Sequence, residues 1–404
     1  MSRPKTIVAP EHLDLLKEKL QQTYGKPIKH SVHCEHLSVH IMQVLHENIS
    51  AQTLRRIFGF IQSPFTPSIT NLDILARYCG YSHWHQLLQA GNPGSFQPLS
   101  STDEAELYLS FYSIDLKDEE DINYHNACRN IAERILTNPT LFAHLASPLA
   151  QHPTSQVFFY ERFPYIDGLG GDYVRGLRLY LQYKKDSQAQ LFAHSLLLLG
   201  SVLTQNHNLA HQHYQVLQQA TLQNSYHPFV VARVLGSRIL YKHCVSNESI
   251  ESEQRELFKW NSYFSSPTKI QFWVFPYYQF MVSDYLNLAG LYELSVPILN
   301  TIPKRKYLPW QSEASYLEAF VIIQAIANSH QEPAAFLNWK QQYKGWATLR
   351  VLFHHFYRLQ VLTAFLALNK RTTRQSRLLQ KEFEDLVHTT GFTFFQAKLQ
   401  VKTK

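Results

Sequence analysis

Glycine is scarce in this chain, with 14 in 404 residues. Strand-rich folds need many tight turns at Gly-rich positions, so the shortage argues against them. The four cysteines, Cys34, Cys79, Cys128 and Cys244, form no CxxC pair. That spacing fits buried free thiols in a reducing compartment better than a disulfide framework. Long apolar runs are missing as well. The longest, Leu191–Thr204, holds about 14 residues with His194 inside it, where a membrane span needs about 20. The opening Met1-Ser-Arg-Pro-Lys-Thr6 has no apolar signal core. These absences predict a soluble cytoplasmic protein with no membrane partner.

What is present is apolar and helix-forming. Hydrophobic residues make up 45% and aromatics 13%, enough for packed cores in more than one domain. Stretches rich in Leu, Ala, Gln and Lys favour helix. The net charge of +7 is unevenly spread. Residues 1–90 carry about +3, the middle about −5 and the last 65 or so about +9. The basic end includes Lys370, Arg371, Arg374, Arg377 and Lys381. It reads as a solvated helix face and tail, with a polyanion- or partner-binding surface as the alternative.

Residues 91–103, rich in Gly, Pro and Ser, read as a linker between a head at 1–90 and a body at 104–404. Asp103 is placed to cap the next helix. In the body, helical patterns over Ala127–Leu136, Tyr173–Lys184, Gln190–Thr204 and Leu209–Ala220 alternate with polar turns about 40 residues apart. Such a period is the signature of stacked helical hairpins. Phe192–Ala220, with Gly200, Ala210 and Tyr214, resembles a divergent tetratricopeptide (TPR) repeat. So does Tyr277–Pro303, with its tight turn at Ala289-Gly290. The expected fold class is all-α: a small five-helix helix-turn-helix domain followed by a TPR-like α-solenoid of helical hairpins.

In the head, helices are expected over His12–Thr23, His36–His46, Ser50–Ile61, Ser68–Tyr78 and His83–Gln89, with Ser50 as an N-cap and Gly80 ending the fourth. The third is built like a recognition helix. Leu54, Ile57, Phe58 and Ile61 form its apolar stripe, while Ser50, Gln52, Thr53, Arg55 and Arg56 lie toward the other side. Gln and Arg can read base edges, and Ser, Thr and Arg can hold phosphates.

Ile49-Ser-x-x-Thr-Leu-x-Arg56 resembles the recognition helix of bacterial phage-repressor-like (XRE-type) helix-turn-helix domains, and Pro67 to Gly80 resembles their fourth helix. Closer still is a group of bacterial proteins with Ile-Ser-x-x-Thr-Leu-Arg-Arg-x-Phe-Gly, Pro-Ser and Leu-Asp-x-Leu-Ala-Arg-Tyr-x-Gly-Tyr-x-x-Trp, here ending at Trp84. The resemblance covers about residues 12–90. It departs from the repressor pattern in a longer turn before Ser50, in an early Gly59 and in Phe58, where an exposed Glu is common. It implies a DNA-binding regulator that uses Ser50, Gln52, Thr53, Arg55 and Arg56 on double-stranded DNA, as a homodimer if the operator is two-fold. Joined to TPR-like repeats, the head resembles pheromone-responsive regulators, which implies a body that binds a peptide or protein in its groove.

Chemical motifs are sparse. His36 and His40 are four apart near His33 and Cys34, but Leu37 stands where a metalloprotease motif needs Glu. His207, His211 and His213 have no carboxylate nearby in sequence. Both groups read as surface or half-buried histidines, not as metal ligands. Asp167-Gly-Leu-Gly-Gly-Asp172 lacks the phosphate-loop Lys and reads as a turn, with Asp172 capping the helix from Tyr173. The aromatic clusters, such as Phe158-Phe-Tyr160 and His354-His-Phe-Tyr357, read mainly as core. No nucleophile motif appears, so the expectation is a transcription regulator without catalysis or cofactor. The alternative is an interaction scaffold whose head does not bind DNA.

Overall fold

The computed structural model describes residues 8, 10–45, 47–61, 67–91, 101–114, 122–272, 275–302, 314–369 and 373–402. Every regular element among the described residues is helical, and none is a strand. None of those helices is long and apolar enough to cross a membrane. The chain divides into two compact units, Met1–Asp103 and Glu104–Lys404.

The first unit holds α1 (Pro10–Tyr24), α2 (Ser31–Leu45), α3 (Ala51–Ile57), α4 (Ile69–Tyr78) and α5 (Trp84–Gly91). Its core gathers Leu16, Leu20, Cys34, Leu37, Ile41, Leu54, Leu72, Leu75, Trp84 and Leu87, all buried. Two helix bounds differ from expectation by more than two residues. The second helix begins five residues before His36, because Ser31–Glu35 contains no breaker and Cys34 is drawn into the core. The third stops at Ile57, not Ile61. Gly59 takes a left-handed φ of +80°, and the Phe60 N–H closes the turn on the Arg55 carbonyl at 2.8 Å.

The second unit takes in most of α6 (Ser101–Tyr112), followed by α7 (Ile122–Leu136), α8 (Pro139–Gln151) and α9 (Pro153–Ser155). The short α9 runs on into a wide π turn over Gln156–Glu161. Because α6 begins at Ser101, Asp103 sits in its first turn and is not the cap the sequence suggested. Most of the expected linker, 92–100, lies outside the described residues.

Next come α10 (Tyr173–Tyr183), α11 (Ser187–Leu203), α12 (His207–Gln219), α13 (Pro228–Tyr241), α14 (Glu251–Phe264), α15 (Pro267–Phe272), α16 (Tyr277–Ala289) and α17 (Tyr292–Asn300). The unit ends with α18 (Ala314–Asn328), α19 (Pro333–Gln342), α20 (His354–Leu368), α21 (Arg374–Thr390) and α22 (Phe394–Lys402). A first layer runs α11, α13, α16, α18, α20, each helix packed on the next. Each also packs on a partner in a second layer, respectively α12, α14, α17, α19 and α21.

The two hairpins singled out in the sequence are α11–α12 and α16–α17. Ala210 and Tyr214 are buried in the first, and Gly290, at φ +85°, makes the turn of the second. Gly200 is needed for close approach, since a Cβ there would stand 2.9 Å from the Leu169 carbonyl oxygen. Pro303 lies outside the described residues.

Distant segments close this unit on itself. The Asp167 N–H donates to the Leu352 carbonyl at 3.0 Å. Lys398 of α22 donates from Nζ to the carbonyls of Asn287 and Leu288 at the end of α16, at 3.1 and 2.6 Å. A Cβ on Gly170 would meet the Thr390 carbonyl oxygen at 2.0 Å, so only glycine fits that crossing. The aromatics fill the interior as expected: Phe158, Phe159, Tyr160, Tyr278, Phe356 and Phe395 are all buried.

Candidate functional site

The head presents the expected third helix as a short segment held by its apolar side. Leu54 and Ile57 are buried, and Phe58 packs half-buried against the same core. Ser50 is the N-cap: its Oγ accepts from the Thr53 N–H at 3.1 Å and lies 2.9 Å from the Thr53 hydroxyl. That engagement turns Thr53 inward, to 8% exposure, so its hydroxyl serves the cap and not the surface. Gln52 is exposed. Arg55 is half-buried and ion-paired with Glu35 of α2. Arg56 is half-buried beside it, with its Nε enclosed. The five residues therefore share one short helix and its cap; Ser50, Gln52 and the rims of the two arginines offer polar surface, and Thr53 does not.

The rest of the head motif is accounted for by packing. The Trp84 N–H donates to Asp73 Oδ1 at 2.8 Å, which ties the start of α5 to α4. Arg77 pairs with Glu47, with nitrogen–oxygen distances of 3.1 and 2.6 Å. The Tyr78 hydroxyl meets His40 Nδ1 at 2.7 Å, and Gly80 ends α4 with φ +86°.

The histidine groups do not converge. His40 is taken by Tyr78, His36 is exposed, and Cys34 faces the core. In the second group His211 Nδ1 meets the Tyr241 hydroxyl at 2.7 Å, whereas His213 pairs with His194, Nδ1 to Nδ1 at 3.1 Å. No set of three or more His, Cys, Asp or Glu among the described residues could hold a metal ion. Burial pushes the thiols of Cys79 and Cys244 up to about 11 and that of Cys128 up to about 12, far from nucleophilic thiolates.

Asp172 occupies the N-cap position of α10 but makes no side-chain cap bond, contrary to expectation. The carboxylate that matters in that turn is Asp167. It is buried and accepts from the N–H groups of His355 and Phe356 at 2.7 and 2.8 Å. Of the basic end, Arg374, Arg377 and Lys381 are exposed on α21, and Leu378 among them is 62% exposed. Lys370 and Arg371 lie outside the described residues.

Sequence reasoning missed a polar group inside the body. Arg233 of α13 and Asp284 of α16 are both buried and both line one cleft, with Phe280, Tyr285, Tyr316 and Phe353 among its walls. Asp284 Oδ1 accepts from Gln360 Nε2 at 2.8 Å and Oδ2 from the Tyr357 hydroxyl at 3.2 Å. Burial holds its carboxyl up at about 6, against those two hydrogen bonds and the charge of Arg233. The available signal was a charged residue in a largely apolar helical stretch, Arg233 within Phe229–Leu235 and Asp284 within Phe280–Leu286. Comparison with protein-family models, with curated proteins and with solved structures finds no match to this chain.

Proposed function

We propose that the chain is a DNA-binding transcription regulator with a repressor-like helix-turn-helix head and a TPR-like body that senses a peptide or protein and supports dimerisation. The observation that carries this reading is α3. It is capped by Ser50 and anchored by Leu54 and Ile57, and it turns Gln52 outward with Arg55 and Arg56 beside it. Amide and guanidinium groups on one anchored helix suit base edges and phosphates. The paired layers of α11 to α21 support a helical-repeat body, in which successive hairpins pack on one another.

A second reading is favoured by two specific features. Thr53 is buried and Arg55 is paired with Glu35, which reduces the cationic surface that phosphate binding needs. In that reading the head is a protein-binding module of a scaffold.

Capture of random genomic DNA fragments at two salt concentrations separates the readings. The wild type is run beside Arg55→Ala/Arg56→Ala. An enriched motif lost in the variant supports the regulator, and its symmetry reports dimerisation. Retention that is absent, or equal in both proteins, sinks it in favour of the scaffold.

A further inference from the structure

Two opposite charges share the cleft of the body without pairing. Arg233 is 5% exposed and Asp284 7%. Both line the same opening, yet no carboxylate among the described residues stands within 4.0 Å of the Arg233 guanidinium. Leaving a buried cation and a buried anion apart is costly, because hydrogen bonds to neutral groups restore only part of the hydration each has lost. Each sits in the middle of a helix, and α13 packs so tightly on α16 that a Cβ on Gly236 would stand 2.5 Å from the Tyr285 ring. The Asp284 carboxylate is held from its far side by Tyr357 and Gln360, one bond to each oxygen, so each oxygen keeps a second lone pair for another donor. Among the described residues Arg233 makes no ion pair; its guanidinium lies beside the Tyr285 hydroxyl, and its charge also acts on Tyr173, Asp284 and Tyr357.

We propose that this cleft binds a single free α-amino acid with an apolar side chain, whose carboxylate meets Arg233 and whose ammonium meets Asp284. A zwitterion supplies both missing counter-charges in one small molecule, separated by the span of a single Cα. A simple carboxylate would compensate Arg233 but place a like charge beside Asp284, and an amine would do the reverse. The walls of Phe280, Tyr316 and Phe353 suit a hydrocarbon side chain. The enclosed space of the cleft is about 20 Å³, and the rest of it opens to solvent. Its closed part has room for only about one or two waters, so the side chain occupies the mouth and a folded peptide is excluded. This assignment stands whether or not the head binds DNA. If DNA capture fails, the cleft is untouched; if amino-acid binding fails, the head is untouched.

The test is calorimetric titration and thermal unfolding of the full chain with L-leucine, L-methionine and L-phenylalanine. N-acetyl-L-leucine and L-leucinamide are run beside them. At least one free amino acid is expected to bind and raise the unfolding temperature. Blocking either charge, or replacing Arg233→Met or Asp284→Asn, is expected to weaken binding by at least about tenfold, as loss of one partner of a buried charge pair does. The blocked ligands test the idea on the wild-type protein, so it stays falsifiable if a variant fails to fold. No binding by any of the three at millimolar concentration overturns the proposal. Equal binding of leucine and its blocked forms overturns it too.

Discussion

The carboxylate of Asp167 caps the start of α20 at Phe356, 189 positions further along the chain, with Oδ1 at 2.8 Å from the Phe356 N–H. Its other oxygen takes the His355 N–H at 2.7 Å. A helix start leaves N–H groups unsatisfied, and here they are met by a turn that the sequence places in another part of the body. Burial pushes the Asp167 carboxyl up to about 7 despite both bonds. A carboxyl raised in the folded state contributes stability that is complete below its ordinary value near 4 and lost as pH rises through 7. Asp167→Asn cannot ionise. The stability of wild type relative to that variant should therefore fall between pH 5 and 7.5, measured by urea unfolding at each pH. A constant difference across that range would show that Asp167 is not ionising where its burial says it does.

The buried histidines act in the opposite direction. Burial, with Arg162 nearby, holds His227 down at about 4, and His125 and His213 are held at about 4 as well, burial again leading. His227 caps α13: its Nδ1 accepts from the Phe229 N–H at 3.2 Å, which requires the neutral ring. Between about 4 and 6.5 the unfolded chain binds protons that the folded one refuses, so this contribution is lost as pH falls through that window. His227→Asn keeps a capping side chain and removes the titration. Wild type should lose stability relative to the variant as pH drops from 6.5 to 4. Parallel unfolding curves for the two proteins would refute it.

The order of helices was legible because caps and breakers are local. Ser50 and Ser68 cap, Gly80 and Gly290 turn, and each acts on neighbours within four residues. The early stop of α3 at Gly59 was visible as an oddity, but its effect on Ile61 depended on which backbone hydrogen bonds closed the turn. Long-range partners were not legible. Nothing near Asp167 or Arg55 in sequence points to Phe356 or Glu35. The same holds for the cleft, since Arg233 and Asp284 meet only because α13 packs on α16. Of the head residues chosen for DNA, their common helix was readable, whereas the inward turn of Thr53 was set by its bond to Ser50.

Gly236 provides a direct test of that packing. An added Cβ would lie 2.5 Å from Tyr285 Cγ and 2.6 Å from its Cβ, both near the backbone and unable to swing aside. Gly236→Ala should destabilise by about 1–3 kcal/mol through overpacking, although alanine favours helix. Thermal unfolding should drop by a few degrees. A variant as stable as wild type would mean that α13 and α16 stand further apart than described. Gly59→Ala is the contrast: nothing lies within 4 Å of its Cβ, so only the strain of φ +80°, about 1–2 kcal/mol, is expected.

The pairing of Arg55 with Glu35 makes the head testable by a gain instead of a loss. Glu35 is 54% exposed and Arg55 27%, so the bond sits at the surface and contributes little to stability. Glu35→Gln should leave unfolding nearly unchanged while releasing the guanidinium and removing a negative charge beside it. If α3 lies against DNA, affinity should rise several-fold at low salt. The slope of log K against log salt should steepen by about 0.9 for one further phosphate neutralised. Arg55→Ala should move both quantities the other way, and Glu35→Gln should gain less in the Arg55→Ala background than in the wild type, because part of the carboxylate's effect runs through its partner. If Glu35→Gln binds no better than wild type, Arg55 is a structural strut between α2 and α3, and the scaffold reading gains the residue that the regulator reading loses.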